Sequence, residues 1–180
     1  METTHTIFVF TENVVGLLNR ITIIFTRRNI NIESIIASES EVPGIYRYTI
    51  VVTVAKERID MIVKLIDKQV EVIKAFYHVN EEIISTEIAL YKISSEAVKQ
   101  NELFIKTINK HNATIIRLFY DYIVVQKTGD EQNIMALFNE LEQFGILEFS
   151  RSGKVSVTKS MKTLSTYLKE IDCSNSQLES

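Results

Sequence analysis

Between Phe8 and Ser34 the chain reads FVFTENVVGLLNRITIIFTRRNINIES. An apolar run enters a short polar turn, Glu12 to Gly16, and the turn opens an amphipathic segment; a second extended stretch starts at Asn31-Ile32-Glu33. The chemistry such a string can do is anion capture. The first N–H groups of a helix have no intrahelical partner, and the helix dipole favours negative charge there. A glycine at that point lets a ligand approach the backbone closely. Asn13 and Asn31, whose side chains both donate and accept hydrogen bonds, bracket the place where a small ligand of mixed charge would sit. These residues predict a sensor of a small zwitterion. Nothing rivals them: His5, His78 and His111 are scattered without metal-ligand spacing, and Cys173 has no activating neighbours. No catalytic residue and no metal ligand is expected.

The bulk properties agree with that reading. A chain of 180 residues allows one domain or two small ones. The hydrophobic fraction of 46% supplies a core, and a net charge of −3 gives no electrostatic reason to expect nucleic acid or an anionic membrane as a partner. One cysteine excludes a disulfide framework. No apolar run approaches the roughly 18 residues of a membrane span, and METTHTIFVF lacks the basic stretch of a secretory signal. A cytoplasmic protein is expected.

The elements that would hold this turn follow from periodicity. Thr6–Phe10 reads as a strand, and Leu17, Leu18, Ile21, Ile24 and Phe25 form one helical stripe. Asn29 near the end of that helix suits the left-handed conformation. Strands are predicted over Asn31–Ser40 and Ile45–Val54, with a turn at Glu41–Gly44, then a helix over Lys56–Gln69 and a strand over Val70–Val79. The order then repeats: a strand at Thr86–Ile93, a helix at Ala97–Lys110 with Ala97, Phe104, Ile105 and Ile108 inward, and strands at Ala113–Leu118 and Tyr122–Lys127. A capping pattern at Thr128–Glu131 opens a helix carrying Ile134, Leu137, Phe138 and Leu141. The last strand is Ile146–Ser150, with Val155–Val157 as its continuation. The fold class is α+β, two ferredoxin-like βαββαβ units in tandem, with domains at 1–80 and 81–170 and a polar tail at 171–180.

The string TENVVGLLNRITIIFTRRNINIESI resembles the opening of the small, regulatory subunit of acetolactate synthase (acetohydroxyacid synthase). The matching residues are Glu12, Asn13, Gly16, Leu18, Arg20, Phe25 and Asn31-Ile32-Glu33-Ser34, and Ser150-Arg151-Ser152-Gly153 resembles the A-R-S-G of the family's second domain. The resemblance implies that the first unit is an ACT domain, an amino-acid-binding module that works as a homodimer. It implies no activity alone. The partner would be the large catalytic subunit, a transferase that condenses pyruvate to 2-acetolactate in branched-chain amino-acid (valine, leucine, isoleucine) biosynthesis. The small subunit would activate it and confer feedback inhibition by a branched-chain amino acid, usually valine, with valine, leucine and isoleucine left unranked by the sequence. Thiamine diphosphate, magnesium and flavin (FAD) would belong to the large subunit, and no cofactor to this chain.

The effector site implied comprises Asn13, Val15, Gly16, Leu17, Asn31 and Ile32. The carboxylate would meet the N–H groups around Val15, Gly16 and Leu17, and the ammonium the side-chain carbonyls of Asn13 and of Asn31 from a second protomer. The ligand's apolar side chain would rest near Ile32. Leu17 stands where the family carries a small residue, adding bulk at the pocket mouth. Arg20 is expected to cover surface or pair with a carboxylate. Two rival readings share the first unit. One is a free-standing amino-acid sensor acting on another enzyme or regulator. The other is an RNA-binding module with Phe8, Phe10, Tyr46 and Tyr48 on its first and third strands, although the K/R-G-F/Y-G/A-F-V-x-F/Y motif is absent.

Overall fold

The computed structural model describes residues 1–98, 101–160 and 166. The described residues divide into two compact units, Met1–Ile84 together with residues 156–160, and Ser85–Val155.

In the first unit the order is β1 (Glu2–Glu12), α1 (Leu17–Thr26), β2 (Ser34–Glu39), β3 (Ile45–Ala55), α2 (Lys56–Asp67) and β4 (Val72–Val79). The strands form one antiparallel sheet in the order β2-β3-β1-β4. Central β1 is buried on both faces from His5 to Thr11, which explains its near-continuous apolar sequence. Ile7 and Val9 face the helices and pack with Leu17, Ile21 and Phe25 of α1 and Ile59, Ile62 and Ile66 of α2. Phe8 and Phe10 face the other way and form a separate cluster with Ile83. The end of α1 follows the expectation: Asn29 is left-handed, at φ 51°. Arg28 Nη1 donates to the Ile24 carbonyl at 3.0 Å, covering an acceptor that the last turn leaves open.

In the second unit β5 (Ile83–Ser94) leads to α3 (Ser95–Val98), α4 (Glu102–Lys110), β6 (Thr114–Leu118), β7 (Tyr122–Gly129), α5 (Glu131–Leu141) and β8 (Ile146–Arg151), with sheet order β6-β7-β5-β8. Its core holds Tyr91, Ile93, Phe104, Ile108, Val125, Ile134 and Leu137. The buried Tyr91 hydroxyl donates to the Ile134 carbonyl at 2.8 Å, and burial pushes its pKa up to about 12. Asp130 caps α5 by accepting from Asn133 N at 2.7 Å, as the pattern at 128–131 predicts.

Three expectations change. The helix predicted over 97–110 is two pieces, and the second starts after Asn101, whose side chain accepts from Leu103 N at 3.1 Å. An asparagine competes for backbone donors and favours a cap over a helix interior. The buried faces are set by Val98, Phe104, Thr107 and Ile108, leaving Ala97 and Ile105 exposed. Val155–Val157 does not continue β8. It lies in a separate strand, β9 (Val155–Thr158), beyond Gly153 at φ 77°, and β9 pairs with β5. The boundary also moves: residues 81–84 go with the first unit, as do residues 156–160. Lys159 N donates to the Glu82 carbonyl at 2.9 Å, which holds that returning chain against the end of the first unit. The expected tail at 171–180 lies outside the described residues.

Candidate effector site

The turn between β1 and α1 is positioned by its flanks. Glu12 N donates to the Glu71 carbonyl at 3.0 Å, fastening the end of β1 to the approach to β4. Gly16 precedes the helix at φ 85° and ψ −5°, a left-handed conformation that side chains beyond glycine strain to adopt. A Cβ at Gly16 would meet no heavy atom within 4 Å, so the glycine serves the backbone turn and not close packing within this chain. No side chain caps α1, and Asn13 is therefore not its N-cap. Among the described residues no backbone acceptor takes the N–H of Val15 or Gly16. These donors remain open at the positive end of a helix dipole. Asn13, Val15 and Gly16 are exposed, Val15 fully.

Leu17 behaves differently from the expectation. Its side chain is completely buried in the core of the first unit and adds no bulk to a pocket mouth. Its N–H already donates to the Val14 carbonyl at 3.3 Å. A helical stripe must turn its first apolar residue inward, and of the two leucines it is Leu18 that stays exposed.

Asn31 is exposed, and Ile32 is half-buried against the core. The structure does not bring these two to the turn within one chain. Ser34 and Thr6 are both level with Val51 of β3, whereas Glu12 is level with Ile45. Six residues of strand correspond to roughly 20 Å, and Asn31 lies beyond Ser34 on the side away from Glu12. The ten residues of α1 span the same gap, about 15 Å of helix. No single small amino acid can touch both asparagines of one chain.

Arg20, on the first turns of α1, pairs with a carboxylate: its Nη2 lies 2.7 Å from Glu71 Oε1. That hydrogen bond is the largest influence holding the Glu71 carboxyl below its ordinary pKa. A depressed carboxylate stabilises the fold above its unfolded pKa, and the contribution disappears as pH falls through the folded value. Arg20→Gln is therefore expected to return the Glu71 pKa toward the usual carboxylate range. A carboxyl-carbon NMR titration reads it, and an unchanged midpoint would dismiss the pair.

Arg20, Arg27, Arg28, Leu65 and Gln69 line a cleft of about 350 Å³ between α1 and α2, and none of the six expected site residues contributes to it. Phe8 and Phe10 are buried, and Tyr46 and Tyr48 pack on the opposite face of the sheet, so these four rings offer no common stacking platform for bases. Among the described residues, no group of three or more His, Cys, Asp or Glu could hold a metal. None of the helices there is long and apolar enough to cross a membrane.

Comparison with known proteins places both units. A family model described as an AHAS small subunit-like ACT domain matches residues 7–74. One described as the small subunit of acetolactate synthase matches residues 86–160. A Mycobacterium bovis acetolactate synthase small subunit is 33% identical over 163 residues, covering 91% of this chain and 96% of that protein. The Bacillus subtilis acetolactate synthase small subunit is 37% identical over 145 residues, covering 80% and 84%. The crystal structure of the Thermotoga maritima acetolactate synthase small subunit superposes with a TM-score of 0.79 at 27% identity, over 88% of this chain and 99% of that one.

Proposed function

This chain belongs to the acetolactate synthase small-subunit family, and from that premise we propose that it activates a catalytic subunit and makes it sensitive to feedback by valine. The observation that carries the effector half is the separation of the turn from Asn31. A site using both must be built by two copies, so ligand binding and dimerisation become one equilibrium. In that site the valine carboxylate takes the open N–H groups of Val15 and Gly16. Charge-assisted bonds of this kind contribute about 1.5–3 kcal/mol each. The ammonium is met by the Asn13 side-chain carbonyl of one copy and the Asn31 side-chain carbonyl of the other. The isopropyl group rests on Ile32 of that second copy. Leu17 supports the turn from the core and does not touch the ligand. Thiamine diphosphate, magnesium and flavin belong to the catalytic subunit.

Reconstitution tests this. The purified chain is mixed with the catalytic subunit from the same organism, and acetolactate formation from pyruvate is followed with and without millimolar valine. The expected result is a faster rate that valine reverses. A faster rate indifferent to valine would retain the subunit and remove valine as its effector. No acceleration and no complex would favour a free-standing sensor.

A further inference from the structure

Arg47 is a charged residue near the start of β3, on the face of the first sheet away from the helices. Its guanidinium lies 4.7 Å from the centre of the Phe8 ring and 5.7 Å from that of Phe10. Its Nη2 donates to the carbonyl of Ser156 in β9. Burial pulls its pKa down, and the nearby Glu41 opposes that shift. Ser156 is buried while its neighbours Val155 and Val157 are about half exposed. Lys159 adds two bonds to the same returning chain, from its N–H to the Glu82 carbonyl at 2.9 Å and from Nζ to the Glu81 carbonyl at 2.6 Å. The family match for the second domain runs to residue 160, yet residues 156–160 belong to the first unit. A piece of the second domain's sequence is thus held on the sheet that carries the effector turn.

We infer that Arg47 couples the effector turn to β9, so that ligand bound at Asn13–Gly16 is read as a change in how the returning chain is held. This rests on the function proposed above. The links are contiguous. Phe10 is three residues before Asn13, two residues from the end of β1, and the pairing of β1 with β4 shifts register between Phe10 and Thr11. That irregularity lies between the turn and the ring and interrupts the regular ladder on the β4 side alone, the pairing with β3 running unbroken to Glu12. A displacement of the turn reaches Phe10, then the guanidinium above it, then the Ser156 carbonyl. The arrangement is also imperfectly satisfied: Arg47 Nε and Ser156 Oγ are both buried without a hydrogen-bond partner. Unpaired buried polar atoms raise the energy of one arrangement relative to another, as a movable contact requires and a purely structural clamp does not.

Arg47→Gln tests the coupling, with Phe10→Leu as a second route to the same break should the first variant fold poorly. Three quantities are compared with the unaltered chain: valine affinity by calorimetry, valine-dependent hydrogen exchange at the Lys159 amide, and valine inhibition of the reconstituted enzyme. The expected pattern is an affinity within twofold, loss of the valine effect at Lys159, and a half-inhibiting concentration raised at least tenfold. An unaltered valine response in the variants would overturn the coupling, as would affinity and inhibition weakening together. If the unaltered chain binds valine but neither activates nor is inhibited, the proposed function fails, and the exchange comparison alone decides the coupling. If it does not bind valine, both fall.

Discussion

Gly16→Asp should abolish valine inhibition while leaving activation of the catalytic subunit within about twofold. The substitution acts at one place for two reasons. A non-glycine residue at φ 85° carries backbone strain of about 1–2 kcal/mol, which the domain can absorb because a Cβ there meets no atom within 4 Å. The new carboxylate then stands at the start of α1, where it can occupy the helix N–H groups the effector needs and repel the effector's own carboxylate. Like charges about 4 Å apart near a protein surface interact by up to about 4 kcal/mol, close to a thousandfold in affinity. Gly16→Ala separates the two causes, since it brings the strain without the charge. It should lower the melting temperature similarly but keep most of the inhibition. Calorimetry of valine with both variants, beside the reconstituted rate, checks the prediction. An aspartate variant that still binds valine normally would remove this turn from the site.

How far the sequence could lead is visible at these same residues. The strand, the glycine turn and the helix were legible because each has its own local signal: a run of apolar residues, a residue free to adopt positive φ, and a stripe of period 3.6. Asn29 and Asp130 were legible for the same reason, since end signals are local. Leu17 was placed correctly by the stripe and misplaced at the pocket mouth by comparison with the family, while Leu18, counted in the same stripe, stays exposed, because two adjacent leucines cannot both point straight into the core. The split near residue 100 was hidden because Asn101 reads as an ordinary polar residue of a helix until its side chain is seen accepting from Leu103 N. Arg47 gave no warning at all. In a strand alternating with Tyr46 and Tyr48 it looks like a solvated position, and the carbonyl that covers it comes from a residue 109 positions later. No window of sequence contains both. The separation of Asn13 from Asn31 belongs to the same class, because only the strand register shows that they lie at opposite ends of the sheet.

That separation leads to the second large effect. Asn13→Ala alone and Asn31→Ala alone should each weaken valine binding by roughly ten- to a hundredfold, the loss of one charge-assisted acceptor worth about 1.5–3 kcal/mol. Co-expressed in equal amounts, the two altered chains should regain sites of unaltered affinity. In a two-fold dimer each site pairs the turn of one copy with Asn31 of the other. A mixed dimer then contains one site with both substitutions and one with neither. If pairing is random, half the dimers are mixed, and about a quarter of all sites are intact. Calorimetry at valine concentrations too low to fill the altered sites would count them directly. The stoichiometry should fall from one valine per chain in the unaltered protein to about a quarter of that in the mixture, and to nearly nothing in either variant alone. A site contained in one chain predicts the opposite. Every chain in the mixture carries one substitution, so nothing could be restored at any ratio. Recovery in the mixture would therefore establish the two-copy site and, with it, the reason an amino acid can act on the assembly and not merely on one of its chains.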